Sequence, residues 1–320
     1  MDNILWLSEV TSNDINLIGN KAFRLSELYQ LRLPIPQGFI ITKNVFKKFL
    51  EYNNLGKQIY FLLHNLDTNN FKLLQSKVHE INEIIMKAEF SENMKNEIME
   101  AYDNMNVSED GWGGGNKNAL DLIRVRRSLP YVAIRSSTIL DEYDRVNYLN
   151  IKGISSLITV IKKVYSSLFS FDNIYYRARN NIMHEDSSIA VVVQKMINSE
   201  KSGFILNDVE ENLVNIQAIF GMGDLLLNKA VNPDLYVLDI NKFEIVERNV
   251  NSQEYYLTRD DFGNNVRKNL DKKDYTLNDA EINTLSSYYK KLSDYYKKKI
   301  KMEFAVENSM IYVIDLKEGL

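Results

Sequence analysis

The chain has 320 residues, 45% of them apolar and 26% charged, an ordinary balance for a globular protein of two domains or of one large domain with two lobes. Its net charge is −4, with Lys and Arg interspersed among acids along helical stretches, so no basic surface argues for nucleic acid. The absence of cysteine excludes disulfides, thiolate metal sites and cysteine nucleophiles. No apolar run approaches the roughly 20 residues of a membrane span and no basic-apolar-small leader opens the sequence, so no membrane association and a cytoplasmic location are expected.

Ile18-Gly19-Asn20-Lys21 leads into residues 22–28, whose apolar positions recur at three- and four-residue spacing and predict an amphipathic helix. Leu33-Pro34-Ile35-Pro36-Gln37-Gly38 breaks it, and Phe39-Ile40-Ile41-Thr42 predicts a strand. Residues 44–105 contain no proline and predict mostly helix. Gly111-Trp112-Gly113-Gly114-Gly115-Asn116-Lys117 predicts a loop, with a short helix over 118–128 and a strand over 131–137 to follow. Residues 153–183 form a long amphipathic helical region carrying Leu157, Ile161, Val164, Leu168 and Phe171. From Ile189 the pattern turns to strands, over 189–194, 202–206, 214–219, 235–238 and 243–246. A Lys- and Tyr-rich helix over 278–300 precedes two closing strands, 302–306 and 311–317. The change near 186 divides the chain into a helix-rich lobe, 1–185, and a strand-rich lobe, 186–320.

The closing hairpin has a geometric consequence. If Glu307 pairs with Ile311 across a three-residue turn at Asn308-Ser309-Met310, Ala305 faces Val313 and Glu303 faces Asp315. Alternation then puts Glu303, Asp315 and Lys317 on one face and leaves Phe304, Val306, Tyr312 and Ile314 as a buried apolar face. Two carboxylates roughly 5 Å apart at Cβ repel unless something positive lies between them. A divalent ion held by oxygen ligands and itself bound to phosphates resolves that conflict. A slip of one residue would part the two acids. From these residues alone, a surface hairpin with scattered charges is an equally good reading.

Nine short motifs stand in order along the chain. They are Gly19-Asn20-Lys21; Leu33-Pro34-Ile35-Pro36-Gln37-Gly38-Phe39 with Thr42; Val132-Ala133-Ile134-Arg135-Ser136-Ser137; Tyr148-Leu149-Asn150-Ile151-Lys152-Gly153; and Ser167-Leu168-Phe169 with Tyr176-Arg177. Val191-Val192-Val193-Gln194-Lys195-Met196, Ser202-Gly203-Phe204, Gly221-Met222-Gly223-Asp224 and Val231-Asn232-Pro233-Asp234-Leu235-Tyr236 complete them before the hairpin. In sequence and spacing they resemble the ATP-binding domain of the phosphoenolpyruvate synthase and pyruvate phosphate dikinase family, a domain shared with rifampicin phosphotransferases. The resemblance implies an α/β (α+β) ATP-grasp-like fold in which two lobes clamp ATP.

Lys21 at a helix start is by itself most simply a solvated charge, but a helix N-terminus and a point cation both suit phosphate; the resemblance implies that it contacts the nucleotide phosphates. Arg135 ends an apolar strand, where a guanidinium needs a partner; the resemblance makes that partner phosphate rather than a structural ion pair. Gln194 closes another apolar strand, and the resemblance implies that it reads adenine, with Met196 and Ile197 against the ring. Asp224 stands where the family places an acid at the ribose, and Asn147 where it has a phosphate-contacting threonine. At the hairpin the family carries Glu on the first strand and Gln-x-Arg on the second, matched here by Glu303, Asp315 and Lys317. The implied roles are Mg²⁺ for Glu303 and Asp315 and phosphate for Lys317, although lysine lacks the bidentate fork of arginine.

Two departures stand out. The family's long glycine-bearing segment after the Arg-Ser-Ser motif is reduced here to residues 138–147, which contain no glycine to let backbone approach phosphate. Gly113-Gly114-Gly115 could substitute, but a surface linker is the simpler reading. The sequence also stops just past the hairpin, and His64, His79 and His184 lack the family's Thr-Ser-His context. Each is expected to be a surface histidine rather than a phospho-carrier. The implied activity is transfer of a phosphoryl or pyrophosphoryl group from Mg–ATP to a histidine on a separate protein that also carries the pyruvate- or phosphoenolpyruvate-binding domain. A degenerate nucleotide-binding regulatory module and a small-molecule kinase related to the antibiotic phosphotransferases are the alternatives.

Overall fold

The computed structural model describes residues 2–105, 129–140, 146–207, 212–271 and 274–319. These residues divide into two compact units, one of Met1–Ser26 with Gln37–Met196 and one of Glu27–Pro36 with Ile197–Leu320. Mixed helices and antiparallel sheets make the class α+β, as the sequence implies. The expected loop at 111–117, the helix over 118–128 and residues 141–145 of the shortened 138–147 segment lie outside the described residues.

In the first unit the strands β1 (Ile4–Trp6), β2 (Gly38–Ile41), β3 (Val132–Ser137), β4 (Asn147–Ile151) and β5 (Ala190–Lys195) form one antiparallel sheet in the order β1-β2-β5-β3-β4. Its helices are α1 (Ile15–Gln30), which runs past the partition, α2 (Lys43–Tyr52), α3 (Leu55–Leu63), α4 (Phe71–Lys87), α5 (Glu92–Asn104), α6 (Ile154–Ser167) and α7 (Phe171–Arg179). The registers Phe39↔Val193 and Ile134↔Val193 fix the faces. Phe39, Ile41, Val132, Ile134, Val191 and Val193 therefore point into a core completed by helix residues such as Phe49, Ile81, Ile98 and Tyr165. Phe46, Phe49, Phe90 and Tyr165 interlock there, with ring centroids 4.6 to 5.9 Å apart. Lys162 threads this core from α6 and donates to the carbonyls of Met86 (2.8 Å) and Ala88 (3.0 Å), satisfying the C-terminal end of α4.

The expected helical stretch 44–105 is thus four helices, interrupted where Asn54 takes φ 53° and where Asn70 and Ser91 cap the next helix. β4 escaped the sequence because every residue after Asn147 is only half-buried and Asn150 sits at φ 55°, which breaks the alternation. The composition change near 186 falls about ten residues before the structural partition after Met196, a stretch that includes β5. That strand reads as the start of a strand-rich lobe, yet its ladders run to β2 and β3 of the first sheet.

The second unit has a six-stranded antiparallel sheet in the order β13-β12-β6-β7-β8-β9. Its strands are β6 (Lys201–Asn207), β7 (Leu213–Phe220), β8 (Asp234–Asp239), β9 (Glu244–Asn249), β12 (Ile300–Glu307) and β13 (Met310–Glu318). The hairpin β10 (Tyr255–Arg259) and β11 (Asn265–Asn269) stands apart from it; its polar composition, Asn265-Val266-Arg267-Lys268-Asn269, hid it from hydrophobic patterning. Helix α8 (Asp224–Leu227) is a single turn, and α9 (Asp279–Tyr296) is started by an Asn278/Glu281 capping box. Lys297, at φ 51°, stops α9 short of the expected residue 300 so that β12 can begin. Residues 27–36 join this unit: the Tyr295 and Tyr296 hydroxyls donate to Glu27, and the Val313 amide donates to the Pro34 carbonyl at 2.8 Å. Fully buried Asp234 accepts from the amides of Asn251 and Thr276 and from the Thr276 hydroxyl, each at 2.8 Å, so its motif serves architecture. Among the described residues no helix is long and apolar enough to cross a membrane.

His184 is not the surface histidine expected. It is half-buried after α7, and its Nδ1 accepts from Nε of buried Arg177 at 2.9 Å, which leaves the ring proton on Nε2. Burial, aided by the Arg177 charge, holds its pKa at about 4, below the ordinary 6.5. In that window the unfolded chain binds a proton that the folded chain does not, so the stability from a neutral His184 is complete above about pH 6.5 and is lost as the pH falls toward about 4. His184→Gln keeps an acceptor for Arg177 and removes the titration. Its urea midpoint is expected to fall less steeply than that of the natural protein across this range; parallel curves would contradict the assignment.

Candidate nucleotide site

The face of the first sheet opposite the helical core carries the polar residues. Ala133, Arg135 and Ser137 alternate onto it, and the pairings Ala133↔Gln194 and Arg135↔Asn147 add two amides. Arg135 donates from Nη1 to Oε1 of Gln194 at 3.1 Å and from Nε to Oδ1 of Asn147 at 3.3 Å. Three residues singled out from separate motifs thus form one hydrogen-bonded group, with the guanidinium plane set by two neutral amides.

Lys21 reaches the same corner through the backbone. Gly19, at φ 80° and ψ 168°, breaks the helical path, so the regular part of α1 starts at Asn20. Asn20 donates from its amide to the Thr138 carbonyl (2.9 Å) and from Nδ2 to the Ile139 carbonyl. The Ala22 amide donates to Oγ of Ser137 at 3.0 Å. A Cβ on Gly19 would lie 2.7 Å from the Thr138 nitrogen and 2.8 Å from Ser137 Oγ, so the close approach and the positive φ both require glycine. Half-buried Lys21 is therefore carried on a helix start pinned to the residues that leave β3, two positions beyond Arg135. Ser137 is the residue that sequence reasoning missed here; its place in the Arg-Ser-Ser motif, on the face of Arg135, was the available signal.

Gln194 is 2% exposed with its amide oxygen turned to Arg135, a bracing geometry that the adenine-reading expectation did not include. The amides of Lys195 and Met196 donate to the carbonyls of Gln37 and Tyr131, at 2.8 Å each, so both are used in prolonging the sheet beyond β5. Met196 is half-buried in the first unit and Ile197 is buried in the second.

In the second unit Gly221 turns at φ 83°, where an added Cβ would meet the Leu257 carbonyl at 2.5 Å, and Ser202 Oγ donates to the Gly221 carbonyl at 2.7 Å. This turn sets Asp224 at the start of α8, and burial raises its carboxyl above the usual carboxylate range.

The hairpin corrects the expected register and keeps its consequence. Its turn has two residues, Asn308 and Ser309, at φ 51° and 63°, the conformation favoured for tight hairpins. Glu307 therefore pairs with Met310 and Ala305 with Tyr312, one step from the expected partners. A bulge that skips Ile314 restores the count, and Glu303 pairs with Asp315 after all. The buried face is Met302, Phe304 and Val306 with Ile311, Val313 and Leu316; Tyr312 and Ile314, expected on it, are only half-buried. On the other face Glu303 Oε1 lies 3.7 Å from both Lys301 Nζ and Lys317 Nζ. Asp315 is 8% exposed, and its Oδ1 accepts from the Leu316 amide at 3.0 Å. Lys301, two residues before Glu303, went unnamed because the strand was expected to start at Met302.

Opposed carboxylate oxygens are hard donors suited to a Mg²⁺-like cation. Among the described residues no group of three acids or histidines gathers. Two carboxylates would then be the protein's whole share, which fits a cation that keeps waters and takes substrate phosphate oxygens.

The model of the pyruvate phosphate dikinase AMP/ATP-binding domain matches residues 15–318. The chain belongs to this family. Every dikinase-domain site residue discussed here, from Lys21 to Lys317, falls inside the match. The chain is 36% identical to a probable phosphoenolpyruvate synthase of Archaeoglobus fulgidus, over 97% of this chain and 41% of that protein. It is 32% identical to the phosphoenolpyruvate synthase of Aquifex aeolicus, over 92% of this chain and 36% of that protein. A probable phosphoenolpyruvate synthase of Methanocaldococcus jannaschii is 28% identical, over 98% of this chain and 26% of that protein. The dikinase domain thus spans well under half the length of these curated relatives. Among solved structures, D-alanine-D-alanine ligase from Helicobacter pylori overlaps 63% of this chain and 45% of its own at 16% identity, with a TM-score of 0.29, too slight to bear on the fold.

The pinning of Gly19 is open to test. Gly19→Ala adds a clash to an unfavourable φ and should lower stability by about 2–3 kcal/mol in urea unfolding. Gly153→Ala, at φ 86° with nothing within 4 Å of the added methyl, should cost only about 1 kcal/mol. Equal losses would refute the close contact with Ser137 and Thr138.

Proposed function

We propose that this domain, ATP-grasp-like in architecture, binds ATP with a divalent cation and delivers a phosphoryl or pyrophosphoryl group to a histidine outside residues 1–320. The observation that carries the reading lies in the first unit, where the helix start bearing Lys21 is pinned through Ala22 to Ser137, two residues beyond Arg135 on its strand, and Arg135 is braced by two amides. Phosphoryl transfer demands positioning and charge neutralisation more than covalent protein chemistry. Arg135, braced by Gln194 and Asn147, offers its guanidinium to phosphate oxygens with little orientational entropy left to lose. Lys21 supplies a point charge at a helix start. Met196 and Ile197 offer apolar walls to the adenine, and Asp224 accepts from a ribose hydroxyl.

Glu303 and Asp315 would hold the cation, which when bound there neutralises phosphate-oxygen charge. Lys317 turns from Glu303 to phosphate. In the transfer the acceptor imidazole nitrogen forms a bond to phosphorus as the P–O bond to the departing nucleotide breaks. That the curated relatives are named as phosphoenolpyruvate synthases supports such an acceptor domain, which the experiment supplies in trans.

With radiolabelled ATP, Mg²⁺ and a phosphohistidine domain added in trans, label is expected on the histidine. Lys21→Glu and Arg135→Glu should each cut transfer by about 100-fold or more while circular dichroism stays unchanged. Undiminished transfer would remove both residues from the site. Calorimetric ATP binding without label transfer would favour a nucleotide-sensing module instead.

A further inference from the structure

The charged face of the closing hairpin holds four groups in a square. Glu303 and Asp315 are directly opposed, and so are Lys301 and Lys317. Each like pair would repel across the strands, but the adjacent and diagonal pairs are of opposite sign. Both ammonium groups lie 3.7 Å from the same oxygen, Oε1 of Glu303. The face therefore neutralises itself without any ion.

The two lysines are not equivalent. Lys317 has a side chain 38% exposed, but Lys301 is only 17% exposed, the same as Glu303. Lys301 Nζ also sits 3.8 Å from the ring centroid of Phe204, the residue of β6 paired with Glu303. Its ammonium is thus held between a carboxylate oxygen and an aromatic face, both of which attract a cation. A divalent ion that takes Glu303 as ligand must share a carboxylate that already faces this ammonium.

We propose that Lys301 is a displaceable counter-cation of the metal site, shared between Glu303 and Phe204 in the metal-free domain and left to Phe204 alone when a divalent ion takes the carboxylate. The inference rests on the reading of Glu303 and Asp315 as metal ligands. Its consequence is discrimination. A bare divalent ion must displace Lys301 and face two ammonium charges, so free metal binds weakly. A divalent ion arriving with nucleotide phosphates brings the anionic charge that compensates both lysines, so the site favours the metal–nucleotide complex over the metal alone.

Mn²⁺ binding, followed by electron paramagnetic resonance with and without ADP, tests this without turnover. Lys301→Met should tighten binding of free Mn²⁺ by about fivefold, with a smaller gain when ADP is present. Lys301→Arg, which keeps the charge, should stay within about twofold of the natural protein. Unchanged or weaker Mn²⁺ binding by Lys301→Met would overturn the proposal, provided Glu303→Gln loses binding as the metal reading requires. If Glu303→Gln binds Mn²⁺ normally, the metal reading itself fails, which is a distinct result. Should Lys301→Met not fold, Lys301→Gln removes the charge while keeping a polar side chain and should likewise tighten binding of free Mn²⁺ by about fivefold; no change would equally overturn the proposal.

Discussion

The arrangement of the first unit depends on the contact of Gly19 and Asn20 with the chain leaving β3. Backbone meets backbone there at a distance that admits no Cβ, and Ser137 takes up a helix-start amide that would otherwise want a partner. That contact brings the helix start bearing Lys21 against the end of the strand bearing Arg135, far away in sequence. The sheet then gives the corner its polarity. Because strand side chains alternate, the face carrying Val132, Ile134, Val191 and Val193 serves the core, and Arg135, Gln194 and Asn147 must share the other.

The second unit solves a different electrostatic problem. Opposing two carboxylates across a ladder costs free energy, and the hairpin offsets it with two lysines on the same face rather than by separating the acids. The repulsion first read as a demand for a metal ion is therefore already compensated by the protein. The pair thus carries its own counter-cations on the same face. The same economy explains Gln194, whose amide braces Arg135.

Much of this was legible in the chain. The helix start at Lys21 and the strands bearing Arg135 and Gln194 follow from periodicity, glycine placement and motif order. Other features were hidden for physical reasons. β4 and β11 lack an alternating apolar face, so hydrophobic patterning carries no signal for them. His184 read as a surface residue because nothing local announces that Arg177 is buried beside it. The opposition of Glu303 and Asp315 came from two compensating differences, a turn one residue shorter than expected and a bulge at Ile314. Local propensity fixes neither, since both depend on how the strand sits against β6 and the core.

By itself the sequence determined most of the element types, the absence of thiol chemistry, the family motifs and which residue types were available for phosphate and metal. These are matters of local periodicity and side-chain chemistry, which need no long-range contact. Only the tertiary structure decided which residues share a face and which partners each charge finds. β5 pairs into the first sheet, residues 27–36 pack with the second unit, Gln194 turns to Arg135 and Lys301 lies over Phe204. Each of those outcomes is a pairing between distant segments, set by register and burial, and no window of sequence contains both halves of it.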